Sequence, residues 1–294
     1  MASSRYPYVR MMRPKQWLKN GFVLAPLVFS QQLMQSRGVE RSVEAFLCWC
    51  AVSSGIYIFN DLFDREADRR HPAKCMRPLA SGEVRPAAAA LLAAVLLTGG
   101  LGGLFTLGLH VLVPAALYAA VNLAYSAYLK QVVIVDVMAI ASGFVLRVIG
   151  GAEAIDAWVS PWLVLCTALL ALFLGFEKRR GEQVLLELDA EKHRAVLTHY
   201  SSTLLNQLIS VLTASTVLSY ALYTISEETV AKFGTNKLFL TVPFVLYGIF
   251  RYLYVAHQKG QGGSPTEIVF RDRPLALNLL LWIGACAAII YWPE

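Results

Sequence analysis

Residues Phe59–Val84 read FNDLFDREADRRHPAKCMRPLASGEV. With Arg85 the run holds five acids and six bases, in a chain that is only 16% charged. The acids come first and the bases follow. Asn60, Asp64 and Asp68 recur every four residues. On a helix they form one stripe, with Asp61 about 100° round from it. The segment just before is apolar, VEAFLCWCAVSSGIYI over Val43–Ile58. A polar cluster thus sits where an apolar helix ends.

Apolar runs of similar length recur along the 294 residues, and the mean hydropathy is +0.52. About 20 apolar residues are needed to cross a bilayer as helix. The chain reads as an all-α integral membrane protein embedded in a lipid bilayer. Nine spans are expected, near 20–36, 43–60, 87–108, 111–129, 132–151, 161–178, 197–225, 237–257 and 274–292. No Pro/Gly/Ser-rich linker divides them, so one domain over 1–294 is expected. The five cysteines are odd in number and lack a CxxC pair, which points to neither disulfides nor zinc. The N-terminal MASSRYPYVRMMRPKQWLKN lacks the short apolar core and cleavage site of a removable signal.

The net charge of +6 has a topological cause. Under the nine-span reading, 21 of the 26 Lys and Arg residues fall on one side, four on the other, and Arg147 lies inside a span. Cytoplasmic loops carry such an excess. The N-terminus and the acidic stripe are therefore expected at the cytoplasmic face of the cell (inner) membrane. No basic patch with interleaved aromatics lies outside the spans, so nucleic acid is not an expected partner. Self-association stays open.

Charge runs are usually solvated helix ends laced with ion pairs. Here the order and spacing, NDxxDxxxD against an apolar span, point further. Several oxygen ligands on one helix face suit a hard cation such as Mg2+, which takes carboxylates together with phosphate oxygens. Asn60, Asp61, Asp64 and Asp68 are the expected ligands. His71-Pro72 is expected to end the helix. Lys74 and Arg77 then follow, able to meet anionic oxygens that the metal leaves uncovered.

NDLFDREAD (Asn60–Asp68) resembles the first aspartate-rich motif of the UbiA superfamily of intramembrane prenyltransferases. RPKQWLKN (Arg13–Asn20), HPAKCMRPLASG (His71–Gly82), YSAYLK (Tyr125–Lys130), GFEKRRGE (Gly175–Glu182) and RDRPL (Arg271–Leu275) resemble one branch of it, the decaprenyl-phosphate phosphoribosyltransferases. The resemblance covers nearly the whole chain and implies a UbiA-like bundle of nine transmembrane helices. It implies Mg2+-dependent transfer of phosphoribosyl from phosphoribosyl diphosphate to a polyprenyl phosphate. Asp61 and Asp64 would be central to catalysis. Lys15, Lys19, Lys74, Arg77, Lys130, Lys178, Arg179 and Glu182 would bind substrate. The attacking lipid phosphate is already anionic, so the reaction needs positioning more than a general base. Aromatic prenyltransferases of the superfamily carry a second acidic motif after span six. Here that loop begins Glu177-Lys178-Arg179-Arg180-Gly181-Glu182. Bases in place of acids suit a donor and an acceptor that both bring phosphate. They leave a second metal in doubt, with Glu182 or Asp189 as acids that remain for one.

Other features weigh less. Arg147 is charged within a span, which marks it as a functional candidate; it reads as pairing with Glu153 or with backbone carbonyls, with a substrate contact as the alternative. Asp136, eleven residues earlier and about 16 Å away along a helix, is too far to pair with it. VVIVDVMAIASG (Val132–Gly143) looks superficially like the phosphoribosyl-diphosphate loop of soluble enzymes, but it lacks paired acids and strand-loop-helix context. Gly99 and Gly103 form a small-xxx-small pair, as consistent with composition bias as with helix contact. The rival readings are an aromatic-acid polyprenyltransferase of quinone biosynthesis and a membrane transporter. The basic segment weighs against the first. The second calls for an internal repeat and broken helices at the midplane, and no clear repeat is seen.

Overall fold

The computed structural model describes residues 6–70, 74–188, 199–258, 268–269 and 271–292. The expected break at His71-Pro72 and the alternative acid Asp189 lie outside them. Among the described residues the regular elements are helices, as α1 (Pro7–Met12), a 3-10 stretch (Pro14–Leu24), α2 (Ala25–Phe29), α3 (Ser36–Phe63), α4 (Arg65–Arg70), α5 (Pro86–Leu107), α6 (Leu109–Ala127), α7 (Val135–Ala154), α8 (Pro161–Leu188), α9 (Ser202–Ile225), α10 (Glu227–Phe233), α11 (Val242–Gln258) and α12 (Arg273–Tyr291), with short 3-10 turns between some of them. Eight helical segments among them are long and apolar enough to cross a membrane: α3, α5 to α9, α11 with the turn before it, and α12. Each matches an expected span within a few residues at most ends.

The expected span at 20–36 is not one continuous α-helix. Its place is taken by the 3-10 stretch and the five-residue α2. Pro26, in the first turn of α2, supplies no N–H to a continuous ladder. The stretch runs antiparallel along α3. The Ser54 hydroxyl donates to the Met12 carbonyl, Trp17 donates to Ser54, and Asn20 donates to Ser53. Further on, Gln32 packs where a Cβ on Gly38 would sit, near the start of α3.

The chain forms two compact units, residues 1–129 with 146–158, and 130–145 with 159–294. The first is built on α3. Trp49, Val52 and Ile56 pack with Leu104, Val111 and Tyr118 from α5 and α6. α3 and α5 approach closely because a Cβ on Gly100 would meet the Cys48 carbonyl at 2.9 Å and the Val52 amide nitrogen at 3.0 Å. Gly103 faces the Cys48 sulfur in the same way, whereas Gly99 faces open space. The contact is thus made by Gly100 with Gly103, one position off the pair singled out from sequence. Toward the C-terminal end of α3, Ile58, Leu79, Val84 and Met11 close a smaller core that anchors the loop after α4. The second unit is built on α8, α9 and α11, where Phe173, Phe176, Leu205, Ile209 and Tyr252 share a core with Val137.

Candidate active site

In the first unit the acidic stripe spans the α3–α4 junction. The Asp64 amide donates to the Asn60 carbonyl and the Asp68 amide to the Asp64 carbonyl, so the i to i+4 register continues through the turn. The two acids that converge are Asp61 and Asp68, seven residues apart and only 4% and 3% exposed. Arg77 Nη1 donates to Asp61 Oδ1 at 2.9 Å and to Asp68 Oδ2 at 2.6 Å. Arg13 donates to the same Asp61 oxygen. Its guanidinium lies 5.2 Å from the Tyr57 ring centre. The Arg13 backbone is left-handed, with φ of 54°, at the corner between α1 and the 3-10 stretch. An arginine rarely adopts that conformation without support. The Ser126 hydroxyl donates to Asn60 Oδ1 at 2.7 Å, which fixes that amide. Arg10 donates to the Met76 carbonyl and Arg69 to the Ala80 carbonyl, holding the loop that carries Arg77.

The second unit holds a separate buried network. Asp136, wholly buried at the start of α7, accepts from Arg179 Nε at 2.7 Å and from the Tyr200 hydroxyl at 2.8 Å. The Tyr200 oxygen accepts in turn from the amide of Ile134, at 2.6 Å. Ile134 is a β-branched residue at φ 69°, an unfavourable conformation for its side chain. Burial above all, reinforced by Asp136, pushes the Tyr200 phenol above its ordinary pKa and keeps it a donor. Arg179 also bonds Glu182, and Lys178 stands 3.8 Å from the other Glu182 oxygen. Glu177, 1% exposed, bonds His257 Nε2 at 3.0 Å.

The chain matches the UbiA prenyltransferase family over residues 23–179. It is 35% identical to the decaprenyl-phosphate phosphoribosyltransferase of Mycolicibacterium smegmatis, over 97% of this chain and 92% of that one. The enzyme of the same name from Mycobacterium tuberculosis is 33% identical, over 96% and 93%. The chain belongs to the UbiA prenyltransferase family. A solved UbiA homologue from Archaeoglobus fulgidus, bound to GPP and Mg2+, superimposes with a TM-score of 0.73 at 19% identity, over 97% of this chain and 99% of that one. That likeness gives the fold.

Among the described residues no three His, Cys, Asp or Glu side chains cluster as a ready-made metal cage. Two buried carboxylates nevertheless converge on a single cationic nitrogen of Arg77, within 2.6–2.9 Å. Oxygen donors that already share one positive centre fit a hard dication, whose remaining positions phosphate and water would fill. The expected substrate-binding bases fall in different places. Arg77 is at the stripe. Lys15 is exposed and Lys19 half-buried along the 3-10 stretch, and Lys74 opens the turn before Arg77. Lys130, Lys178, Arg179 and Glu182 belong to the second unit.

Arg179 stands among the phosphate-binding bases from sequence, and its side chain, 1% exposed, bonds Asp136 and Glu182. Arg147 bonds Asn20 and Tyr118. Sequence reasoning also missed the pairing of Arg13, which opens RPKQWLKN, with Asp61, and the part of Tyr200, which carries no motif. The pairing of Asp61 with Asp68 had a signal. Seven residues are close to two full helical turns, which returns both to one face.

Proposed function

We propose that the chain transfers 5-phosphoribosyl from phosphoribosyl diphosphate to the phosphate of a polyprenyl phosphate, with release of diphosphate. The carrying observation is 33–35% identity, over nearly the full length of both chains, to enzymes named decaprenyl-phosphate phosphoribosyltransferase. The oxygen of the lipid phosphate attacks the anomeric carbon of the ribose as the bond to diphosphate breaks. Both substrates are anionic, and the chemistry asks for cations around a site that also keeps buried carboxylates.

Asp61, Asp64 and Asp68, with the amide oxygen of Asn60, would hold Mg2+. When bound, that ion supplies charge neutralisation for the leaving diphosphate. Ser126 orients Asn60 for this task. Arg77 and Arg13, relieved of the carboxylates, are in position to donate to diphosphate oxygens, where paired donors give directional charge-assisted bonds. Lys15 and Lys74 are proposed substrate ligands. Lys130 and Lys178 remain proposed phosphate ligands, and Glu182 is held beside Lys178. A single transferase domain over 1–294 is supported by relatives that match along the whole chain.

The UbiA-like bundle is read with nine crossings, the first made by the broken segment from Pro14 to Phe29. Eleven residues of 3-10 helix and five of α-helix rise about 30 Å, the depth of a hydrocarbon core. The N-terminus and the acidic stripe then face the cytoplasm, as the Lys/Arg distribution favours. The test is direct. Purified protein is incubated with labelled phosphoribosyl diphosphate, Mg2+ and polyprenyl phosphates of several lengths. A labelled, charged lipid is expected. Label transfer only from prenyl diphosphate to an aromatic acid would overturn the reading.

A further inference from the structure

The second unit carries a cation that no ion pair accounts for. Arg180, on α8, is half-buried, and its Nε donates to Asn206 Oδ1 of α9 at 2.8 Å. Among the described residues no carboxylate lies within ion-pair distance of it, and its neighbour Arg179 takes Glu182. The bond holds the guanidinium against α9 and leaves the Asn206 amide N–H groups to face elsewhere. A recess of about 680 Å³ opens at this place, lined by Thr203, Asn206, Gln207, Ser210 and Val211.

The same face of α9 then changes character. Gln207, Val211, Ala214, Leu218, Leu222 and Ile225 are all exposed and follow one another at steps of three or four residues, which makes one stripe. The stripe is polar at its start and apolar for the rest of its length. α9 has 24 residues and is about 36 Å long, against about 30 Å for a hydrocarbon core. Its polar first turns fall at head-group depth, and the apolar remainder lies among acyl chains. A cation and amides on an outward face are costly beside hydrocarbon unless an anionic, hydrogen-bonding group covers them. A soluble anion would meet that need and leave the apolar stripe unused.

We infer that Arg180 and the first turns of α9 bind an anionic phospholipid, with its phosphate at Arg180 and Asn206 and its acyl chains along Val211 to Ile225. Basic pockets between helices at a membrane face take acidic head groups by the same chemistry. Such a lipid bridges α8 and α9 and stabilises the second unit. It is a resident lipid, and the site stands whether or not the transferase reading holds.

The test uses the full-length protein in neutral detergent. Intact-complex mass spectrometry counts bound lipid as phosphatidylglycerol or phosphatidylcholine is titrated in, and melting temperatures are read in parallel. The wild type is expected to hold phosphatidylglycerol about fivefold more tightly than phosphatidylcholine, the worth of one cation at a membrane surface. Arg180→Gln is expected to erase that preference, and Arg180→Lys, which keeps the charge, to retain part of it. Should Arg180→Gln fail to fold, Asn206→Leu at its exposed position carries the test, with the preference lowered about twofold or more. Excess polyprenyl phosphate is expected to leave phosphatidylglycerol in place, and its displacement would give the face to the lipid acceptor and overturn the inference. Inorganic phosphate that reproduced the Arg180-dependent stabilisation would overturn it too, because the stripe would then have no task. So would equal retention of both lipids by the wild type, or the wild-type preference in a folded Arg180→Gln or Asn206→Leu protein. A changed number of copies per particle in Arg180→Gln, with the lipid preference intact, would mark a contact between subunits instead.

Discussion

Asp61 and Asp68 share one arginine nitrogen, and this fact orders the consequences of single substitutions. Asp61→Asn and Asp68→Asn keep volume and remove charge. Each is expected to lower kcat/KM about a hundredfold or more, the equivalent of about 3 kcal/mol, in initial-rate measurements with the protein folded. Wild-type rates in either variant, or full activity in excess EDTA, would remove the metal role. The resemblance ranks Asp64 with Asp61. In the structure Asp61 and Asp68, seven residues apart, converge on an arginine sixteen residues beyond Asp61, and no local spacing announces that partner. Tyr200 was equally hidden, since its task is to bond the Ile134 amide and Asp136. Tyr200→Phe leaves a strained backbone N–H and a buried carboxylate each short of a bond. A loss of about 1–3 kcal/mol is expected in denaturant unfolding. A variant as stable as wild type would show the network to be idle.

At the scale of elements, the eight regular spans were legible because length and apolarity alone define them. The first segment was not, because its apolar composition does not reveal that the chain leaves α geometry before Pro26. Nor does composition set the phase of a glycine stripe. Gly100, not Gly99, lies against α3, with a Cβ position 2.9 Å from the Cys48 carbonyl. Gly100→Ala would force α3 and α5 apart and is expected to cost about 1–3 kcal/mol, read as a lowered melting temperature. Gly99→Ala, in open space, should melt at or above the wild-type temperature. Equal behaviour of the two variants would show that this close approach is unimportant.

At the scale of the whole molecule, charge asymmetry and the broken first segment make one joint prediction. Single cysteines are placed in a cysteine-free background at Tyr6, Met34 and Glu83. An impermeant thiol reagent added to intact cells should label position 34 and spare 6 and 83. Labelling of all three, or of 83 alone, would defeat the nine-crossing arrangement. The guanidinium pair at Asp61 also bears on how such a chain is made. Arg13 leaves the ribosome well before Asp61, and Arg77 follows sixteen residues behind it. The acid at the end of α3 therefore enters the translocon with one neutralising partner already synthesised and the next about to emerge. Membrane insertion can then proceed before any ion or sugar diphosphate is met, and chelation during biogenesis should leave the yield of inserted protein unchanged.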